Sequence, residues 1–218
     1  SSGFIGKNLC NNLISSEYDV TGISLSNGID IRNEDSLKKF KGYDTIFHLA
    51  ALTKNSDNIS IYDTNVLGTM NILNLAKTNN SELIYLSSNV YGKYNGKKFN
   101  EESVENPVNT YTHSKFLGEK LCKLYNVNFS LKVIIARTSN IYGPGQSRGF
   151  LIPDIIEQLK NDKMIVKNPK SKRDFLFIDD LVEGLISLLE HKKNFDIINF
   201  CFGEGHSVEN VLNCILNI

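Results

Sequence analysis

Four apolar runs limit what this chain can fold into. "DVTGISL" (19–25), "DTIFHLA" (44–50), "ELIYLSS" (82–88) and "LKVIIAR" (131–137) are close to continuously apolar. A strand with one wet face alternates apolar and polar residues, whereas a strand covered on both faces does not. Between the runs, amphipathic stretches predict helices near 6–16, 33–41, 57–79 and 109–126. Alternating strand and helix implies an α/β fold with a doubly wound parallel sheet. After residue 140 the texture changes. "IYGPGQSRG" (141–149) predicts a loop by its Gly and Pro content. A helix near 150–161 follows, then short strand-like pieces at 163–167 and 174–178 and a helix near 179–191. A strand at 195–202 precedes a last helix, for which Ser207 is the expected N-cap.

Composition removes some classes of function. Lys plus Arg equals Asp plus Glu at 24 each, so the basic surplus of a nucleic-acid footprint is missing. No apolar stretch approaches the ~20 residues of a membrane span. Cys10, Cys122, Cys201 and Cys214 show no C-x-x-C spacing, which argues against a zinc site or a redox dithiol. Cys10, Cys122 and Cys214 fall on predicted helices, where a buried thiol acts as a small hydrophobe. Thiols used this way imply a reducing, cytoplasmic compartment.

Three short motifs carry chemistry. In "SSGFIGKNL" Gly3 and Gly6 lie three apart ahead of a helix. A backbone turn that cradles a pyrophosphate needs glycine where a side chain would clash, and a helix N-terminus aimed at the anion. Any loop can hold such a pair. In "YTHSK", Tyr111 and Lys115 are four apart and share a helix face. An ammonium beside a phenol favours the phenolate, bringing its proton exchange toward neutral pH. The same spacing also describes an ordinary surface pair. A second match, Tyr94 to Lys98, contains Gly96 and reads as a solvated loop. In "LSSNVYG" (86–92), hydroxyls close a predicted strand, where parallel sheets bind ligands. Ser87 and Ser88 could equally begin a turn and bond their own backbone.

The order of the motifs is more specific than any one of them. Gly3 and Gly6 are followed by "FHLAA" (47–51), "NVLGTMNIL" (65–73), "LSSNVYG", "YTHSK", "ARTSNIYGPG" (136–145) and "RDFLFIDDLVEGL" (173–185). This series resembles the extended short-chain dehydrogenase/reductases, in their NAD-dependent epimerase/dehydratase branch, over essentially the whole chain. The resemblance implies a Rossmann-type dinucleotide domain over 1–140. It also implies a smaller, partly interleaved substrate region over 141–218. Tyr111 would be the acid/base, Lys115 would hold the nicotinamide ribose and lower the Tyr111 pKa, and Ser87 would steady the reacting oxygen. Gly3, Phe4, Ile5, Gly6, Asp30, Ile31, Leu49, Ala50 and Ala51 would contact the cofactor. Ser88, Asn89, Asn140 and Arg173 would contact substrate, the last two at a nucleotide diphosphate. Asn65 would brace the active-site strand. A homodimer would form through the helices near 57–79 and 109–126. The motif's first glycine would precede Ser1, as would a first strand, so these residues alone are expected to bind a dinucleotide weakly.

Two departures narrow the expectation. Dehydratases of the branch carry an Asp-Glu pair directly after the hydroxyl residue, where this chain has Ser88 and Asn89. At the end of the second predicted strand, "SLSNG" (24–28) offers neither the acid typical of NAD users nor the Arg typical of NADP users. NAD is the expected cofactor, with NADP open. The expected function is a nucleotide-sugar epimerase working through a transient keto intermediate, with no metal. A nucleotide-sugar ketoreductase and a non-catalytic dinucleotide-binding module are the alternatives.

Overall fold

The computed structural model describes residues 1–53, 57–93, 98–160 and 164–217. In chain order the elements are α1 (Phe4–Ser15), β1 (Thr45–His48), α2 (Asn58–Tyr62), α3 (Gly68–Asn79), β2 (Glu82–Leu86), α4 (Thr110–Phe129), β3 (Val133–Thr138), β4 (Asn140–Tyr142), α5 (Leu151–Gln158), β5 (Lys172–Phe177), α6 (Ile178–Ser187), β6 (Phe195–Phe200), β7 (Gly205–Ser207) and α7 (Val208–Leu216). The main sheet runs β1-β2-β3-β6, every pair parallel. A smaller sheet pairs β4 with β5 in parallel and β5 with β7 antiparallel. The structure therefore has the doubly wound α/β class read from the apolar runs.

Side-chain alternation explains why those runs are continuous. Leu83 and Tyr85 of β2, with Val133 and Ile135 of β3, face a core completed by Ile72, Leu73 and Ala76 of α3 and by Cys122 and Tyr125 of α4. The intervening Ile84, Leu86, Ile134 and Ala136 face the other core, with Leu9 and Leu13 of α1 and Leu181, Val182 and Leu185 of α6. Both faces are dry, so both sets are apolar. α4 starts at a capping box: the Asn109 side chain accepts from Thr112 N at 2.9 Å, and Thr112 Oγ1 accepts from Asn109 N at 3.3 Å. That box sets Tyr111 and Lys115 in the first two turns. Ser207 caps α7, accepting from Asn210 N at 3.0 Å.

Several predicted elements differ. Residues 19–25 join no ladder among the described residues. The Ser1 ammonium donates to Ile23 O at 2.7 Å and Asn27 Nδ2 to Gly22 O at 3.3 Å. Without a neighbour bonding along its length the run is not a strand, and its last residue, Leu25, opens a 3-10 turn, Leu25–Asn27. The predicted helix at 33–41 shrinks to a 3-10 turn, Glu34–Ser36, capped by Asn33. So short a segment cannot sustain a helix unaided, and Leu37 anchors it in the core. The long helix at 57–79 is interrupted by a π-helical turn, Asp63–Leu67. Residues 141 and 142 of the predicted loop belong to β4. Of the piece predicted at 163–167, residue 163 lies outside the described residues and 164–167 form no strand. Cys122 is buried as expected, but Cys214 is exposed. The Tyr94 of the second Y-x-x-x-K match lies outside the described residues. No described helix is long and apolar enough to cross a membrane.

Candidate active site

Parallel pairing puts the carboxyl ends of β1, β2 and β3 at one edge of the sheet, with Ser87 and Ser88 directly after β2. The Ser88 side chain lies near the Tyr111 phenol and favours its ionised form. Ser87, predicted for that position, points the other way. It is 2% exposed, and its Oγ donates to Glu119 Oε1 at 2.5 Å. The physical reason is the pleat. Ser87 N still bonds Ala136 O at 2.7 Å, which keeps Ser87 in the ladder, so the next residue faces the opposite side. Counting back from Tyr91 presumes a fixed turn length, whereas the strand's own end decides which hydroxyl faces Tyr111. Asn89 is exposed, its Oδ1 accepting from Tyr91 N at 3.1 Å.

Beneath the hydroxyls lies a buried ion pair. Arg137 on β3 forks onto Glu119 on α4, with Nε 3.0 Å from Oε1 and Nη2 2.6 Å from Oε2. The same guanidinium donates to Tyr91 OH at 2.9 Å and to Glu105 Oε1 at 3.1 Å. Tyr91 OH in turn donates to Asn199 Oδ1 on β6 at 2.6 Å. Burial alone would depress the Arg137 guanidinium, but the bonds and charge of Glu119 outweigh it and hold it above its ordinary value.

Lys115 and Tyr111 stand four residues apart near the start of α4. Burial pushes the Tyr111 phenol up, with the Ser88 bond pulling the other way. The Lys115 ammonium sits 4.1 Å from the centre of the Tyr85 ring. Burial lowers Lys115 to about 7, against the opposing influence of Cys122 and Glu119. His48 is pushed down to about 3, first by burial and then by Lys115, and is neutral. Its Nε2 meets Thr69 Oγ1 at 2.8 Å, while Thr69 spends its own proton on Asn65 O at 2.7 Å. His48 Nε2 must therefore carry the hydrogen. Asn65, within the π-turn, braces the segment after β1. It accepts from Leu52 N at 2.8 Å and donates to Leu52 O at 2.9 Å and Ser114 Oγ at 2.8 Å.

The remaining predicted residues divide into several settings. Gly3 is the N-cap of α1, with open space where a Cβ would stand. A Cβ on Gly6 would meet Ser1 Cα at 2.9 Å. Phe4, Ile5 and Leu49 pack on the core, Ala51 is half-buried and Ala50 is exposed. The Ile31 side chain is 8% exposed and fills the space at Gly68, while Asn71 Nδ2 takes its carbonyl at 2.9 Å. Its side chain packs in the core. Asp30 is held below the usual carboxylate range by the fork of Arg32, Nη2 to Oδ2 at 2.6 Å. Asn140 and Arg173 come together, lining a pocket of about 160 Å³ with Tyr142, Gln146, Phe150 and Phe175. Asn140 Nδ2 already donates to Asp174 O at 3.0 Å. Arg173 is exposed and pairs with no carboxylate among the described residues.

The description "NAD dependent epimerase/dehydratase family" matches residues 1–201. The chain belongs to that family. It is 34% identical to GDP-6-deoxy-D-talose 4-dehydrogenase of Aggregatibacter actinomycetemcomitans, over 100% of this chain and 77% of the relative. The structure of RMD from Pseudomonas aeruginosa complexed with NADPH superposes with TM-score 0.88 at 27% identity, covering 99% of this chain and 81% of that one. A mutant UDP-glucuronic acid 4-epimerase from Bacillus cereus, in complex with NAD and a fluorinated UDP-sugar, gives TM-score 0.88 at 29% identity, with the same coverage. The family makes this protein an enzyme with a nicotinamide dinucleotide as cofactor. The residues present fit that group. α1 begins at a glycine without a side-chain cap bond and with no acid in its first turn, which leaves N–H groups and the positive helix end for a pyrophosphate.

Glu119, Arg137 and Tyr85 were not singled out from the sequence. Glu119 had a signal, being eight residues past Tyr111 on the same helix face. Arg137 closes an apolar run and has no partner nearby in sequence. Replacing Glu119 with Ala strands a buried guanidinium, at a cost of about 3–5 kcal/mol. Tm should fall by roughly 6–20 °C, toward the smaller value because Glu105 remains. A calorimetric Tm within 2 °C of wild type, roughly the error of such comparisons, would show the pair to be energetically idle.

Proposed function

We propose that this family member is an epimerase of nucleotide-activated sugars, acting through a transient keto intermediate. The supporting observation is the approach of Ser88, just after the carboxyl end of β2, to Tyr111 in the first turn of α4, with Lys115 one turn further along that helix. A bound NAD, or NADP, supplies the hydride acceptor and donor. Tyr111 takes the proton of the ring hydroxyl and gives it back, and Ser88 donates a hydrogen bond to the same oxygen. Lys115 holds the cofactor ribose. Gly3, Gly6 and the backbone of Phe4 and Ile5 hold the pyrophosphate, with Asp30, Leu49, Ala50 and Ala51 along the rest of the cofactor. Arg173 and Asn140 take the substrate diphosphate in their pocket, and a guanidinium suits a bidentate phosphate contact. In this reading residues 1–140 serve the dinucleotide and 141–218 the sugar. The dehydratase reaction stays disfavoured: with Ser88 as the hydroxyl residue, the next two positions are Asn89 and Val90, again without a carboxylate.

A ketoreductase is the second reading. The Tyr111 phenol, pushed up by burial, is poised as a proton donor, the form that reduction of a ketone requires. Dimerisation belongs to the proposal as well. Ile59, Leu67 and Leu124 are exposed on α2, the π-turn and α4, apolar positions suited to contact with a second copy. The four cysteines are free thiols, in keeping with a cytoplasmic setting.

Three measurements test this. Ser88→Ala should lower kcat by about 10²–10³, the usual loss for one oxyanion donor, and Ser87→Ala by about tenfold or less; the reverse order would return the role to Ser87. With candidate nucleotide sugars, an epimerase leaves the reduced-nicotinamide absorbance unchanged at completion, whereas stoichiometric consumption selects the ketoreductase. Sedimentation should give twice the chain mass, and a monomer at micromolar concentration rules the dimer out.

A further inference from the structure

Lys115 is 2% exposed and forms no ion pair among the described residues. The charged and titratable groups near it come from three elements. His48 on β1 is neutral. On α4 the Cys122 thiol is pushed up by burial and stays protonated, Tyr111 is likewise pushed up, and the Glu119 carboxylate is committed to Arg137 and Ser87. Tyr85 on β2 meets the ammonium with its ring face, 4.1 Å from Nζ to the ring centre. An aromatic face carries partial negative charge, and its attraction for a cation grows when water is excluded.

The ring is held on every side. Tyr85 is 0% exposed and lies between His48 and Ile135 in the ladder. Its hydroxyl donates to Lys115 O at 3.2 Å, tying the ring to the residue it faces. The His48 ring lies 5.5 Å away, tilted by 46°. Gly118, one turn past Ser114, makes the approach possible: a Cβ there would stand 2.1 Å from the Tyr85 hydroxyl oxygen. So β2 and α4 are shaped around this contact, in a place where an ordinary core would pack aliphatic side chains.

We propose that Tyr85 is a positioning residue whose ring face seats the Lys115 ammonium and keeps it charged at the active-site end of α4. Its significance for catalysis rests on the reading of Lys115 given above, but the seat itself does not, so it is tested without turnover. The probe is lysine-selective ¹³C labelling, with the Lys115 signal assigned by its loss in Lys115→Arg and followed by NMR across pH. Tyr85→Leu removes the face, and the Lys115 midpoint should move down by roughly one pH unit or more. The sign follows from the charge: losing a partner of the ammonium favours the neutral amine, so the proton leaves at lower pH. Tyr85→Phe keeps the face and should titrate near the wild type. Should the Leu variant not fold, phenylalanines carrying one, two or three fluorines at position 85 keep the shape while weakening the face stepwise. The midpoint should fall in the same order. A midpoint that stays constant across the fluorinated series, or an unshifted midpoint in folded Tyr85→Leu, overturns the proposal.

Discussion

The Glu119–Arg137 pair is the interaction on which the rest of the site depends. Taking both charges out of water costs several kcal/mol per ion, and only full hydrogen bonding offsets it. Here the carboxylate accepts from Arg137 twice and from Ser87, and the guanidinium also reaches Tyr91 and Glu105. These groups come from α4, β3 and the segment after β2. None can make its bonds until the others have docked. The meeting of Ser88 with Tyr111 is therefore a property of the assembled fold rather than of either local segment.

The electrostatics around this pair follow one pattern. Burial silences the neighbours: His48 is neutral, the Cys122 thiol keeps its proton, and the Tyr111 phenol is held above its ordinary value. Lys115, lowered to about 7, is the one among them whose charge is poised near neutrality. A site of this kind presents little fixed charge of its own. Charge brought by an incoming anion would be felt strongly because so little water screens it.

Much of this was legible in the sequence, for reasons that also explain the gaps. β2 and β3 were readable because two dry faces leave few polar positions, and α4 because Asn109 and Thr112 mark its start. The segment 19–25 has the same composition as a buried strand, but strands are defined by their neighbours, which composition does not report. The choice between Ser87 and Ser88 turned on one residue of turn length, and a parity error in a strand reverses the face. Arg137 looked like the polar end of an apolar run, since its partner lies 18 residues earlier on another element. Tyr85 looked like core, and it is core; its second role comes from what passes over its ring.

The π-turn at Asp63–Leu67 gives the helix one residue more than a regular turn would hold. In an α-helix each residue advances the side-chain direction by about 100°. Removing one residue there would restore the ordinary hydrogen-bond ladder and rotate everything before it by that angle. Asn65 would lose its alignment with Leu52 and Ser114, both of which it now grips. The local backbone would gain regularity as the strand end behind the active site came loose. Helical perfection and a braced site are thus competing outcomes of a single residue's presence.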